Sequence, residues 1–443
     1  MTPNPTLLKS VEQLDYRVTA GDVAAQAGLE VNFAQSGLLA LAADAGGHLQ
    51  VADSGDVVYL FPKNFRTILR NKSWRMQLQE GWQKVWRVLF YLIRISFGTI
   101  LILSILLMLA AIAAIFIYIN STQDDRDDNR SGGGGGFVFL PRLWGPNVFW
   151  WFDPGYGYST RPRRQRQPSG DNSQPQMSFL EAVFSFLFGD GNPNADLEER
   201  RWQTIGTAIR NNGGAVAAEQ VAPYLDEVDI RDNEDYMLPV LVRFNGYLHV
   251  SDEGQIVYTF PELQVTARDV NPQPISPYLE EQRWRFSAAS TGQILLAIGL
   301  GSLNIILALV LYALLNDPAN APQIAQLGGV VGLASSMYGL LLGYGIAFLT
   351  IPLVRHFWIQ WRNSIIEGRN QQRLARAQML RNADASLQRK IAYAHQFASQ
   401  NQIGEGDLAY TTQTDLLEQN LQNSDRIDQE WQQRLESGSP PLE

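Results

Sequence analysis

Three long runs of the chain carry no charge. Ile95 to Ile119 is 25 residues, mostly Leu, Ile, Ala and Phe; Ser287 to Leu315 is 29; Pro318 to Val354 is 37. A helix needs about 20 apolar residues to cross the ~30 Å hydrocarbon core of a bilayer. Each run is long enough, and a chain of 443 residues has little protein to bury three of them. Their flanks fit a membrane interface. Trp82, Trp86 and Tyr91 precede the first with Lys84, Arg87 and Arg94, and Trp284 and Arg285 precede the second. Arg355, His356, Trp358, Trp361 and Arg362 follow the third. The sequence therefore predicts transmembrane helices over 95–119, 287–315 and 318–354, with the lipid bilayer as the first partner. The last two should form an antiparallel hairpin. Gly328, Gly332, Gly339 and Gly343 recur at four-residue spacing in the third run. Small residues so placed let helix backbones approach, against the second span or against another chain.

Charge orients the spans only in part. Arg283 and Arg285 before the second span and Arg355, Arg362, Arg369, Arg373 and Arg376 after the third put the middle region and the tail on the cytoplasm-like side. One crossing at the first span would then put the N-terminal region opposite, yet its own flank is basic too.

The second constraint is an internal repeat. Gly47-His-Leu-Gln-Val-Ala-Asp-Ser-Gly-Asp-Val-Val-Tyr-Leu-Phe-Pro62 aligns with Gly246-Tyr-Leu-His-Val-Ser-Asp-Glu-Gly-Gln-Ile-Val-Tyr-Thr-Phe-Pro261, with 9 of 16 positions identical at an offset of 199. Each stretch reads as a β-hairpin: alternating apolar residues, a turn holding Asp53 and Gly55 or Asp252 and Gly254, then a strand with Tyr59 or Tyr258. Pro62 and Pro261 close it, past the ladder. Helical patterns precede each hairpin. Short helices followed by a two-stranded wing predict two small α+β winged-helix-like domains on an α-helical membrane protein.

The resulting organisation is a first repeat over 1–66, a basic juxtamembrane helix over 67–94 and the first span. A linker over 120–176 carries a glycine run (Gly132–Gly136), six Trp and Tyr/Phe residues near Trp150, and a basic patch at Arg161–Arg166. The second repeat, with the apolar stretch Phe179–Phe188 ahead of it, covers 177–263. That stretch is too short to span and should pack on the second repeat or lie at a surface. A linker (264–286), the hairpin of spans, and a helical tail (355–443) complete the chain. The tail suits packing on a partner or folding back on the middle domain.

Winged helices often read DNA, but here the chemistry opposes it. Asn32–Asp44, the recognition position of the first repeat, holds no Lys or Arg, and Asp232–Asn245 holds three acids against Arg243. Phosphate contact needs cations at such a surface. The net charge of −9 points the same way, so no nucleic-acid partner is expected. Catalytic signatures are missing too. There is no cysteine, which excludes thiolate metal sites and cysteine nucleophiles. The four histidines (His48, His249, His356, His395) form no metal-ligand spacing, and there is no phosphate loop. Ser335 and Ser336 lie in the third run with no histidine in any run to act as base. No enzyme, cofactor or metal is expected. The three runs also lack the ionisable groups that transporters place in their spans.

Met177-Ser-Phe-Leu-Glu-Ala-Val-Phe-Ser-Phe-Leu-Phe-Gly-Asp-Gly-Asn-Pro-Asn194, Glu198-Glu-Arg-Arg-Trp-Gln203, Asn212-Gly-Gly-Ala-Val216, Tyr410-Thr-Thr and Asp415-Leu-Leu-Glu418 resemble a family of multi-span membrane proteins from cyanobacteria and plastids. The resemblance covers most of the chain. It implies a thylakoid, plasma or plastid-envelope membrane and no assigned activity. Plant relatives sometimes carry an iron–sulfur cluster biosynthesis label, and a chain without cysteine departs from any direct ligand role. The expectation is a membrane-anchored scaffold or assembly factor that binds membrane or peripheral proteins through its paired winged-helix-like domains. A transport or channel component built on the glycine-rich hairpin is the alternative.

Overall fold

Segments 199 residues apart fold into the same succession of elements. The computed structural model describes residues 4–72, 74–123, 177–226, 228, 234–267, 272–318, 321–324, 326–415, 418–419, 424 and 431–432. The first repeat runs α1 (Pro5–Gln13), β1 (Arg17–Thr19), α2 (Ala20–Ala27), α3 (Val31–Ala45), β2 (His48–Ala52) and β3 (Val57–Leu60). After α4 (Phe65–Lys72), the long α5 (Trp74–Gln123) and α6 (Phe179–Phe188), the order returns. The second repeat is α7 (Leu197–Asn211), β4 (Ala215–Val216), α8 (Ala218–Val221), α9 (Leu238–Phe244), β5 (Tyr247–Val250) and β6 (Ile256–Thr259). Next come α10 (Pro261–Gln264), β7 (Val265–Thr266), α11 (Thr291–Leu315), α12 (Ala321–Ile324), α13 (Gly329–Ser336) and α14 (Tyr338–Arg381). The chain closes with α15 (Ala385–His395), β8 (Asn401–Gln402) and β9 (Leu408–Thr411). The molecule is mostly helical, with three small sheets among the described residues.

The two repeats share sheet order (β1-β3-β2 and β4-β6-β5) and register. His48 faces Leu60 as Tyr247 faces Thr259. Local chemistry explains the match. The α3 helix ends at Gly46 (φ 70°), and α9 ends 199 residues later at Asn245 (φ 50°). Glycine and, next, asparagine tolerate this left-handed stop best.

The chain divides into two compact units, the first comprising 1–81, 193–282 and 365–443. Both repeats lie in it and share one hydrophobic core, from Leu7, Val23 and Leu38 to Ile205, Val240 and Phe260. The boundaries 1–66 and 177–263 therefore do not separate two independently packed bodies. Their seam is α2 against α7, where a Cβ on Gly206 would lie 2.9 Å from the Ala25 Cα. Buried Asp22 ties the seam. It caps α2 through the Thr19 N–H and accepts from Arg210 (2.6 Å), the Thr266 hydroxyl (2.8 Å) and the Ala267 N–H (3.0 Å). The tail folds back into this unit: β9 extends the first sheet antiparallel to β2, and β8 pairs parallel with β7. Of the helical tail expected over 355–443, the part from 416 on falls largely outside the described residues.

The second unit comprises 82–192 and 283–364. It holds the apolar parts of three helices that are long and apolar enough to cross a membrane, within Lys84–Ser121, Thr291–Leu315 and Tyr338–Arg381. The third run is not the single helix expected over 318–354. Gly329 takes φ 61°, Gly328 caps α13, and Met337 leaves helical geometry before α14 begins. The stretch Phe179–Phe188 also differs from expectation. It packs on the apolar helices rather than on the second repeat, burying Phe179, Val183, Phe186 and Leu187 against a core that includes Ala297 and Phe348. The glycines expected to form a packing face do not pack against the second span. A Cβ on Gly328, Gly339 or Gly343 would meet nothing within 4 Å, and on Gly332 only the Leu327 carbonyl at 3.5 Å. Close approach occurs instead at Gly301, where a Cβ would sit 2.6 Å from Phe348, and at Gly345, 2.6 Å from the Asn304 Oδ1. Asn304 is fully buried and its amide donates to Ser104 of α5, which links two of the apolar helices.

Candidate functional site

The residues that recur in the hairpins have structural duties. A Cβ on Gly47 would stand 3.0 Å from the Phe61 ring, and on Gly246 2.4 Å from the equivalent Phe260 ring. Both rings are buried, so the glycines let the strand start lie flat on them. Gly55 (φ 88°) and Gly254 (φ 78°) supply the left-handed turn position between strands. Asp53 and Asp252 sit in these turns, and the Asp53 N–H donates to the Asp407 carbonyl of the tail (2.9 Å). Pro62 lies ahead of α4, its carbonyl accepting from the Phe65 N–H, and Pro261 opens α10. Tyr59 and Tyr258 are buried. The Tyr258 hydroxyl donates to Glu234 (2.8 Å), and burial, that bond and the Glu234 charge push its pKa up.

Around Glu234 the tail engages the second repeat. Lys390 of α15 bridges Glu219 (2.8 Å) and Glu234 (2.5 Å). Further along the fold, Arg373 of α14 is 1 % exposed and meets Asp226, Glu281 (2.9 Å) and the Leu279 carbonyl (2.9 Å). Arg369 takes the other Glu281 oxygen (2.6 Å), and Arg376 donates to the Leu225 carbonyl (2.8 Å). Arg243, the one cation of α9, donates to the Gly28 carbonyl (3.0 Å) and lies over the Trp202 ring.

Two cavities open in the first unit. One of about 340 Å³ is lined by Arg200, Thr204, Thr207, Ser276 and Tyr278 among others. The other, about 110 Å³, is lined by Thr19, Gln35, Asp56, Tyr59 and Glu262 among others. Burial and the Asp56 charge hold the Glu262 carboxyl above its usual range, and burial and Glu262 raise Tyr59. Neither lining contains a histidine, and among the described residues no cluster of His, Cys, Asp and Glu is placed to hold a metal ion. Three of the four histidines have partners in the fold: His48 the Thr412 carbonyl, His249 the Thr259 hydroxyl with its ring stacked on Phe397, His356 the Gln360 amide.

What the first unit does offer is apolar surface. In the second repeat Leu238 and Val242 of α9, and Tyr247, Leu248 and Val250 of β5, are all exposed.

No family model matches the chain, and no solved structure does. A chloroplast protein of Arabidopsis thaliana, described as uncharacterized, is 38 % identical across 97 % of the chain and 81 % of its own length. The chain belongs to the family of that chloroplast protein. The match extends over both repeats, the apolar helices and the tail. Sequence reasoning placed the hairpin residues of this family member and missed its ion clusters. Arg369, Arg373 and Arg376 were legible only as a positive flank; their acidic partners Asp226 and Glu281 lie about 90 to 150 positions away and no spacing rule connects them.

Proposed function

We propose that the chain is a membrane-anchored scaffold or assembly factor of a thylakoid, plasma or plastid membrane in the photosynthetic lineage, binding other proteins through two winged-helix-like repeats. The succession helix–strand–helix–helix–hairpin in each repeat supports the winged-helix-like reading. The observation that carries the reading is the surface of the second repeat. Where a DNA reader would present cations, α9 and β5 present Leu238, Val242, Tyr247, Leu248 and Val250 to solvent, with Arg243 turned to Gly28 and Trp202. Exposed apolar residues clustered on a water-facing unit mark protein contact. The chloroplast relative and the three apolar helices support a plastid-type membrane as the location. The test is a mild-detergent pull-down of the tagged chain from its native membrane. We expect defined partner proteins that disappear when residues 197–266 are deleted. A chain that emerges alone, together with ion or solute flux through reconstituted liposomes, would replace the scaffold with the transport reading.

The shared core also bears on sidedness. Because the repeats pack around one core, the reading places both on one side of the bilayer. Because the chain has no native cysteine, single-cysteine labelling is clean. Ser54→Cys and Glu253→Cys, at the two hairpin tips, should react with a membrane-impermeant maleimide from the same side. Labelling from opposite sides would sink the placement.

A further inference from the structure

In the first repeat the outer edge of β2 is covered. The Ala52 N–H donates to Asp56 across the hairpin, so by alternation Gln50 and His48 face β3 while Val51 and Leu49 turn outward. Those outward groups meet the tail. The Thr412 N–H donates to the Leu49 carbonyl (2.9 Å), the Leu49 N–H to the Thr412 hydroxyl (2.9 Å), and Val51 pairs with Tyr410. The second repeat has the same geometry without the cover. Its Ser251 N–H donates to Gln255, which turns Leu248 and Val250 outward. The sheet ends at β5, and among the described residues no strand lies on that edge. Among the described residues, that edge receives a long hydrogen bond from the Tyr393 hydroxyl to the Val250 carbonyl (3.4 Å).

Natural proteins blunt free edges with charge, proline or a bulge, because bare N–H and C=O groups recruit other strands. The β5 strand, Tyr-Leu-His-Val, has neither charge nor proline, and its pairing with β6 runs in unbroken register. Tyr247 is 63 % exposed, Leu248 58 % and Val250 56 %, and Leu238 and Val242 of the preceding α9 are exposed as well. We propose that the outer edge of β5 receives an extended, uncharged strand of a partner protein, antiparallel to β5 and of the same chemistry as Leu408-Ala-Tyr-Thr411 on β2. The inference rests on the scaffold reading and names its docking surface. A second copy would set β5 against β5, whereas the equivalent edge of the first repeat is taken by a segment of different sequence, Leu408–Thr411. A partner strand brings flanking residues that can cover Leu238 and Val242 as well.

The experiment uses the full chain in detergent and a dye-labelled peptide with the sequence of residues 405–415 as the extended probe. We expect saturable binding by fluorescence anisotropy, with slowed hydrogen exchange over 247–250. Leu248→Pro deletes an N–H that the β5–β6 ladder does not use, so the hairpin can persist. It should weaken binding at least tenfold, and Val250→Lys should do the same without touching the backbone. Failure of the peptide to bind overturns the inference. So does binding that both variants leave intact, which would mean exchange with β9 on β2. A dimer that Leu248→Pro dissolves would overturn the partner in favour of a second copy. In the native-membrane pull-down, a partner lost on deleting 197–266 but kept by Leu248→Pro removes the β5 edge and leaves the scaffold standing. Absence of any partner removes the scaffold itself.

Discussion

Arg373→Met should be among the most destabilising single substitutions in the chain. The side chain is 1 % exposed, and its guanidinium meets Asp226 and Glu281, itself buried, as well as the Leu279 carbonyl. Methionine fits the volume but leaves two carboxylates without their shared cation. Breaking one side of a buried pair typically costs about 3–5 kcal/mol, because the remaining charge stays desolvated. In a thermal melt this is a fall of roughly 10 °C for a unit of this size. Arg201 and Arg369 still reach Asp226 and Glu281, which argues for the lower end of the range. Adding Asp226→Asn and Glu281→Gln should recover much of the loss, since neutral amides are cheaper to bury. Recovery distinguishes a charge effect from lost packing.

Acid gives a second check. Burial pushes the Asp226 carboxyl up, but the hydrogen bond from Arg373 and the charges of Arg201, Arg373 and Arg369 outweigh it, and its pKa lies below the ordinary 3.8. A carboxyl depressed by folding stabilises the native state above its unfolded pKa, and that contribution fades as pH falls through the folded value. The gap in melting temperature between wild type and Arg373→Met should therefore be full at neutral pH and narrow below about pH 4. A gap independent of pH would mean that packing, not charge, is what Arg373 supplies.

What the sequence made legible follows from how each feature is encoded. The hairpins were readable because Gly47, Gly55, Tyr59 and Pro62 recur as Gly246, Gly254, Tyr258 and Pro261, and each is fixed by local geometry: a ring to lie on, a left-handed turn, a strand end. The single core was not. Its seam is built from Ala25 and Gly206, residues too small to announce a contact by hydrophobic pattern. The glycines of the third apolar run show a related limit. Spacing showed that close approach was permitted, but Gly328 and Gly329 are spent on ending one segment and starting another. The contact falls on Gly301 and Gly345, off that stripe. The arginines of the tail were counted as a topology signal, whereas Arg369 and Arg373 are partly neutralised by Glu281 and Asp226. Nor could periodicity foresee that Leu408–Thr411 would complete a sheet begun more than 350 residues earlier.

Gly21→Ala probes the shared core most sharply, because two effects of opposite sign compete at one methyl group. Gly21 lies inside α2, where alanine has the better intrinsic propensity by about 1 kcal/mol. Against that, a Cβ at this position would lie 1.8 Å from the Glu262 carbonyl oxygen and 2.8 Å from its carbon. Both atoms are backbone, so no side-chain rotation relieves the clash; α10 must move relative to α2. Overpacking of a well-packed site costs about 1–3 kcal/mol, and a contact with backbone belongs at the top of that range. The net effect should be a loss of about 2 kcal/mol. The neighbouring Asp22 would feel the same displacement, since it accepts from Thr266 and Ala267 just beyond α10. Gly81→Ala is the matched control, because a Cβ there meets nothing within 4 Å and only the propensity gain remains. We expect the melting temperature to fall for Gly21→Ala and to hold or rise slightly for Gly81→Ala. Equal, small effects at both positions would mean that α2 and α10 are not in this close contact.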